Sequence, residues 1–312
     1  MKDILHGYKQ WLTARQYSEQ TIATYFRRVE KFLIVYSPDK LKEITAKEIQ
    51  NYLLKANSTS GKTINGLFST LRNFFIYCRL AGITAPGLMD NPVKDIGPIK
   101  HPKRIPRIIP FDDLSRLLRL PDLKSIRESR DFAIMMVLLH GLRAAEICNL
   151  DTRDIYQDGW GLGRKIIIHV QGKGRKERNI IAERSGDLEW AWDHWQTMRG
   201  PVKTPEAAFP AYYHGIQKRM TRQGLYLLLK RYGDKIGIKG LHPHAWRHTA
   251  AVRLIEEGVD IKEIQVRLGH ESVATTEKYT AGASILQEAA ANSQWIHKLK
   301  KADLRYRRRR RR

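Results

Sequence analysis

The sequence predicts two domains: an α-helical N-terminal domain, then a mixed, mainly α domain carrying a small antiparallel β-sheet. Three observations point there. Apolar residues recur at helical spacing through the first 80 or so residues, a proline-dense basic stretch interrupts the pattern, and two short alternating runs flank the turn Gly172-Lys173-Gly174-Arg175. The 312 residues suffice for two such domains, each with its own core.

In the first domain, Ser18 is placed to cap a helix whose Ile22, Tyr25, Phe26, Val29, Phe32 and Leu33 follow the 3.6-residue period. Thr45 and Glu48 form a capping-box pattern ahead of Ile49, Tyr52, Leu53 and Leu54. A third amphipathic stretch carries Ile64, Leu67, Phe68, Leu71, Phe74, Phe75 and Cys78 and ends at Gly82. Arg27, Arg28, Lys62 and Arg72 lie between the apolar positions; they read either as a DNA-facing basic surface or as ordinary solvated helix faces.

Residues 83–110 contain Pro86, Pro92, Pro98, Pro102, Pro106 and Pro110. Prolines at this density block a continuous helix and keep the chain extended. With His101, Lys103, Arg104 and Arg107 the stretch is basic as well, and it reads as an interdomain linker suited to a phosphate backbone. The expected boundaries are 1–90 for the helical domain, 91–110 for the linker, 111–290 for the second domain and 291–312 for a C-terminal helix end and tail.

The second domain opens with a helix over Phe111–Leu120, Asp112 and Asp113 in its first turn. Phe132–His140 reads as a buried helix stopped by Gly141, and Arg143–Leu150 as a short helix. Residues 164–171 and 176–182 predict a β-hairpin. Beyond about residue 186 the patterns are helical.

Composition narrows the partners. The formal net charge is +24; six of those charges are Arg307 to Arg312, so the remainder still carries +18 (24 less 6). Such a surplus favours a polyanion, nucleic acid first, with an anionic membrane surface or a ribosome-like scaffold as alternatives. No apolar run reaches the length of a membrane span, and the N-terminus does not read as a signal peptide. Cys78 and Cys148 are far apart and read as small buried side chains in a reduced chain.

Several residues carry potential chemistry. His244 and Arg247 lie three apart, His270 follows a Leu-Gly step, and Tyr279 comes nine residues later. Arg143 and Lys173 lie upstream. Transfer at a phosphodiester needs a nucleophile, donors for the charged transition state and an acid for the leaving 5′ oxygen. Arginine suits the second task through its planar, always-charged fork, and tyrosine suits the first when a neighbour helps it ionise. His242, His244 and His248 also suggest a metal site, but neither carboxylate nor cysteine joins them at a fitting spacing.

These pieces resemble the tyrosine site-specific recombinases, the family of phage integrases and bacterial Xer recombinases. The resemblance rests on Gly141-Leu142-Arg143-Ala144-Ala145-Glu146-Ile147, then Gly172-Lys173-Gly174-Arg175-Lys176-Glu177-Arg178, then His244-Ala245-Trp246-Arg247-His248-Thr249, then Leu268-Gly269-His270 and Tyr279, in family order. Ser18 to Phe26, Leu71-Arg72-Asn73-Phe74-Phe75 and Asn91-Pro92 are similar to the Xer core-binding domain. The chain departs from the pattern at Ala145, where serine or threonine is common, and at Trp246, where leucine is common.

The resemblance implies a SAM-like core-binding domain, a tyrosine recombinase catalytic domain, and strand cleavage through a 3′-phosphotyrosine link without metal, nucleotide or other cofactor. Arg143 and Arg247 would clamp the non-bridging oxygens of the scissile phosphate. Lys173 would be the general acid, His244 the base or proton relay, and His270 a hydrogen-bond donor to the phosphate. Tyr279 would be the nucleophile, with Glu146 orienting the site from behind. His242 and His248 read as structural residues.

The implied partners are double-stranded DNA recombination sites, gripped by a C-shaped two-domain clamp, and three further copies of the chain in a synaptic tetramer. An amphipathic stretch with Ile285, Leu286, Trp295, Ile296 and Leu299 would dock on a neighbouring subunit, and a partner recombinase is possible. A cytoplasmic, nucleoid-associated protein with no membrane partner is expected. The Arg307–Arg312 run reads as a disordered electrostatic tail. Two other classes share part of this chemistry: type IB topoisomerases, and DNA-binding proteins with no enzymatic activity.

Overall fold

The computed structural model describes residues 1–55, 61–84, 107–158, 165–172, 177–182, 187–200, 206–213 and 216–269. The chain divides into two compact units, Met1–Arg104 and Ile105–Arg312.

The first unit is helical: α1 (Lys2–Ala14), α2 (Glu19–Val35), α3 (Ala46–Lys55) and α4 (Gly61–Leu80), with a 3-10 turn at Pro38–Lys42. The expected caps form. Ser18 Oγ accepts from the Thr21 N–H, and Thr45 and Glu48 exchange bonds in a capping box. Gly82 follows α4 in the left-handed region at φ +65°. Helix α1 has no counterpart among the expected elements. Its Leu5, Tyr8 and Leu12 are buried and pack with Phe32, Phe74 and Phe75. The Tyr8 hydroxyl donates to Asn73 Oδ1, and Asn73 Nδ2 donates to the Tyr17 hydroxyl, which ties α1 and the turn after it to α4.

The basic residues divide. Arg27 and Arg72 are exposed. Arg28 is not on that surface, because its Nη1 donates to the Gly66 carbonyl and to Thr70 Oγ1, holding α2 against α4. The Lys62 side chain lies outside the described residues.

In the second unit, α5 (Phe111–Arg119), α6 (Ile126–Leu138) and α7 (Ala144–Asn149) precede β1 (Ile155–Asp158), β2 (Lys165–Gln171) and β3 (Glu177–Ala182). These strands form an antiparallel sheet in the order β1-β2-β3. The β2–β3 register runs from Ile166↔Ala182 to Gln171↔Glu177, so residues 172–176 connect the two strands. Ile166, Ile168 and Val170 turn to the core from alternate positions of β2, joined by Ile180 and Ala182 of β3. Helix α8 (Asp187–Arg199), the strands β4 (Pro210–Tyr213) and β5 (Ile216–Arg219), and helices α9 (Arg222–Lys235), α10 (Pro243–Glu256) and α11 (Ile261–Leu268) complete the described part. Residues just before α5 pack within this unit: Ile109 is buried, and its N–H donates to Thr249 Oγ1 of α10.

Two expectations need correction. The chain after residue 186 is not helical throughout, because β4 and β5 form an antiparallel hairpin there. Its strands are four residues each, too short to show a period, and Pro210 stands at the first position of β4, where a missing N–H is tolerated. The sheet also has a third strand, β1, with only Ile155 buried.

Helix α6 runs through the core and buries a charge at its centre. Asp131 is fully buried and accepts from Arg130, Arg231 and the Tyr232 hydroxyl. Arg130 also donates to the Pro210 carbonyl, so this knot joins α6, α9 and β4. Both cysteines are buried, and burial pushes the thiols up, to about 12 for Cys78 and about 11 for Cys148. Trp246 is fully buried too, its extra area packed in the core.

Removing the Asp131 carboxylate leaves the buried Arg130 guanidinium and the buried Tyr232 hydroxyl without that partner in the interior, while Arg231 is exposed. Asp131→Ala is therefore expected to lower unfolding free energy by about 3–5 kcal/mol, read from the denaturation midpoint. Asp234→Ala, which breaks the exposed pair with Lys230, should leave the midpoint nearly unchanged.

Candidate active site

The described part of the site gathers around the N-terminus of α7 and the C-terminus of α11. Gly141 stops the chain after α6 with φ +82°, a conformation that L side chains rarely adopt. A Cβ there would also lie 2.4 Å from Leu268 Cδ2. The turn delivers Arg143 to the residue before α7, in extended backbone.

Glu146 lies one helical turn on and is buried. Its Oε2 accepts from the Arg143 backbone N–H at 2.7 Å, and its Oε1 from Arg143 Nη1 at 2.8 Å. Burial pushes this carboxyl up. The fork of Arg178, the Arg143 N–H, the Arg178 charge and the hydrogen bond from the Arg143 side chain outweigh burial and hold it below the ordinary carboxylate value. The Arg143 side chain remains 34% exposed, so one arm of the expected clamp reaches solvent.

Arg247 comes from α10 and is buried. It donates from Nη1 to the Gly141 carbonyl and from Nη2 to the Leu268 carbonyl at 2.6 Å. Arg143 Nη2 donates to the next carbonyl, that of Gly269. Both arginines therefore converge on the Leu268–Gly269 backbone, immediately before His270. Gly269 caps α11 at φ +62°, and a Cβ on it would lie 3.0 Å from Arg178 Nη1 and 3.3 Å from Arg143 Nη1. A side chain there would be strained by the positive φ and would push both guanidinium groups aside by a few tenths of an ångström.

The three histidines line the start of α10. His242 caps this helix: its Nδ1 accepts from the Ala245 N–H. His244 is exposed. Its ring stands 6.4 Å from that of His242 and 6.2 Å from that of His248, centroid to centroid, with the His248 ring near-parallel. Burial, then the neighbouring His244, His242 and Arg247, lowers His248 to about 4. His248 is thus held neutral behind the site. Among the described residues no group of three His, Cys, Asp or Glu side chains is arranged to hold a metal ion, and no helix is long and apolar enough to cross a membrane.

Of the six expected site residues, the structure describes Arg143, His244 and Arg247. Lys173, His270 and Tyr279 lie outside the described residues, as do the amphipathic stretch around Trp295 and the arginine tail. Arg178, one of the residues that carry the resemblance but assigned no role from sequence, emerges as a direct partner of Glu146. No local signal marks that contact, which joins positions 32 apart.

Known proteins are similar to this chain over most of its length. Residues 107–284 match the phage integrase family, and residues 5–82 match its N-terminal SAM-like domain. A tyrosine recombinase of Pseudothermotoga lettingae is 29% identical over 306 residues, covering 92% of this chain and all of that one. Tyrosine recombinase XerD of Staphylococcus epidermidis is 29% identical over 291 residues, covering 90% of this chain and 94% of its own. Tyrosine recombinase XerC of Myxococcus xanthus is 34% identical over 199 residues, 61% of this chain and 63% of its own.

Among solved structures, the XerH recombinase bound to its palindromic difH substrate superposes with a TM-score of 0.71 at 22% identity, covering 89% of this chain and 81% of that one. A lambda integrase dimer bound to a core site gives 0.67 at 20% identity, with 89% and 76% covered. These two share the fold. The chain belongs to the phage integrase family and is a tyrosine recombinase.

The unfolded His248 titrates near 6.5 and the folded one near 4. The unfolded chain thus takes up that proton first, so stability is full above about pH 6.5 and falls as pH drops toward 4. Thermal melts should follow this course, and His248→Gln should flatten it; an unchanged pH profile in the variant would contradict the assignment.

Proposed function

We propose that the chain cleaves and rejoins duplex DNA at specific sites through a covalent 3′-phosphotyrosine intermediate on Tyr279. The observation that carries this reading is the convergence of Arg143 and Arg247 on the backbone just before His270. In this reading the Tyr279 oxygen attacks the scissile phosphorus and gives its proton to His244. The bond from phosphorus to the 5′ oxygen breaks, and Lys173 supplies the proton that makes the free 5′-hydroxyl. The guanidinium groups of Arg143 and Arg247, with His270, hold the non-bridging oxygens as charge builds on them. Preorganised donors of this kind are worth roughly a hundredfold or more each in rate.

Rejoining is the reverse: a 5′-hydroxyl attacks the phosphotyrosine and releases Tyr279. The energy of the broken bond is held in the tyrosyl ester, so the reaction needs no nucleotide, and two guanidinium groups supply the charge stabilisation that a metal ion would otherwise give. Both units contact the duplex, in keeping with the net charge of +24. The synapse is a tetramer on two duplexes, with the stretch around Trp295 docked on a neighbouring copy, and the protein acts in the cytoplasm on chromosomal or mobile-element DNA. The XerH, lambda integrase and transposon integrase structures were each solved on DNA, which supports DNA as the partner.

The test uses nicked duplexes with randomised sequence, in which the cleaved fragment diffuses away and traps the intermediate. Wild-type protein should give a denaturant-stable protein–DNA adduct whose sequenced DNA reveals the target, and Tyr279→Phe should give none. Adduct formation by Tyr279→Phe at the wild-type rate would overturn the nucleophile assignment. Relaxation of plasmids lacking that target would favour a topoisomerase instead.

A further inference from the structure

Arg178 takes no part in the chemistry above, yet it is anchored to two other elements of the site, α7 and α11. It lies on β3 with its side chain 11% exposed. Nη1 and Nη2 donate to Glu146 Oε1 and Oε2, both at 2.9 Å, and Nε donates to the Arg267 carbonyl at 2.9 Å. The two oxygens that receive this fork also receive Arg143. One carboxylate therefore stands between two guanidinium groups, and three elements, β3, α7 and α11, meet at Arg178.

We propose that Arg178 is a positioning residue for strand cleavage: through Glu146 and the Arg267 carbonyl it fixes the Arg143 guanidinium and the end of α11 in one register. The inference rests on the recombinase reading of the site. Geometry supplies the first reason. Arg143 is partly exposed and has rotamers to lose, whereas Glu146, which orients it, is pinned from behind by a two-point fork that only arginine provides.

Charge supplies the second reason. Glu146 alone would cancel the Arg143 charge that has to meet a phosphate. With Arg178 behind it, the trio keeps a net charge of about +1 beside the scissile group, where a low dielectric raises its worth. Arg178 lies on β3, so the same anchor ties that strand to α7.

The experiment measures single-turnover cleavage of a nicked suicide duplex built on the sequence recovered from the wild-type adduct. Arg178→Gln should slow cleavage about 10- to 100-fold, the usual effect of removing a partner behind a reacting group, with DNA affinity within about twofold of wild type. Arg178→Lys, which keeps the charge but not the fork, should restore part of the rate. In an Arg143→Lys background, Arg178→Gln should cost less than about twofold more, because both changes act on one interaction.

A wild-type rate in Arg178→Gln would overturn the proposal. So would losses that multiply independently of Arg143 and follow the melting temperature, since they would make Arg178 a fold-holding ion pair only. If the wild-type chain forms no adduct, the recombinase reading fails, and the positioning claim is then decided on the full chain by side-chain 15N NMR. The Arg143 guanidinium should be ordered in the wild type and mobile in Arg178→Gln, and identical Arg143 signals would overturn it.

Discussion

A single buried carboxylate organises this site. Glu146 accepts four hydrogen bonds at 2.7–2.9 Å, two from Arg143 and two from Arg178. Taking a carboxylate out of water costs several kcal/mol unless its lone pairs are filled, and here they are filled by a backbone N–H and two guanidinium groups. The consequences spread along the chain. The Arg143 N–H is available because Gly141 turns the chain at φ +82°, and the guanidinium groups approach closely because residue 269 has no side chain. Arg247 closes the arrangement from α10 by binding the carbonyls of Gly141 and Leu268. Removing the carboxylate would leave neighbouring positive charges with nothing between them.

The described site therefore separates two kinds of arginine. Arg247 is buried and Arg178 mostly so, and they spend donors on backbone carbonyls and on Glu146, which makes them struts as well as charges. Arg143 alone keeps about a third of its side chain in solvent. Each terminal guanidinium nitrogen carries two N–H groups, so an arginine can brace the backbone and still present charge to a phosphate. The cost is a scaffold rigid enough to hold several cations together. The core behind it provides that scaffold, since Asp131 ties α6 to α9 and, through Arg130, to β4.

Much of the fold was legible because its signals are local. The Ser18 and Thr45–Glu48 caps, the stop at Gly82 and the hairpin alternation of residues 165–182 each declare themselves within a few residues. What was missed lacked such a signal or depended on distant contacts. The periodicity of Leu5, Tyr8 and Leu12 is present, but only packing on Phe32, Phe74 and Phe75 makes it an element of the core. Strand β1 buries one residue, and β4 and β5 have four residues each. Arg28 looked like a surface cation, and only a hydrogen bond across 38 positions shows that it faces α4. In the site, Arg143, His244 and Arg247 were readable by residue type and order, and Glu146 by its spacing from Arg143. Arg178 was not, because its meaning lies in a contact between β3 and α7.

The charge of that shared carboxylate is what the site depends on. Glu146→Gln keeps the size of the side chain but turns one acceptor oxygen into a donor facing two guanidinium groups. Its cleavage rate on the target duplex, compared with wild type at equal DNA occupancy, measures the claim directly. A loss of at least about tenfold is expected in a variant that still binds DNA. Wild-type cleavage by Glu146→Gln would contradict it.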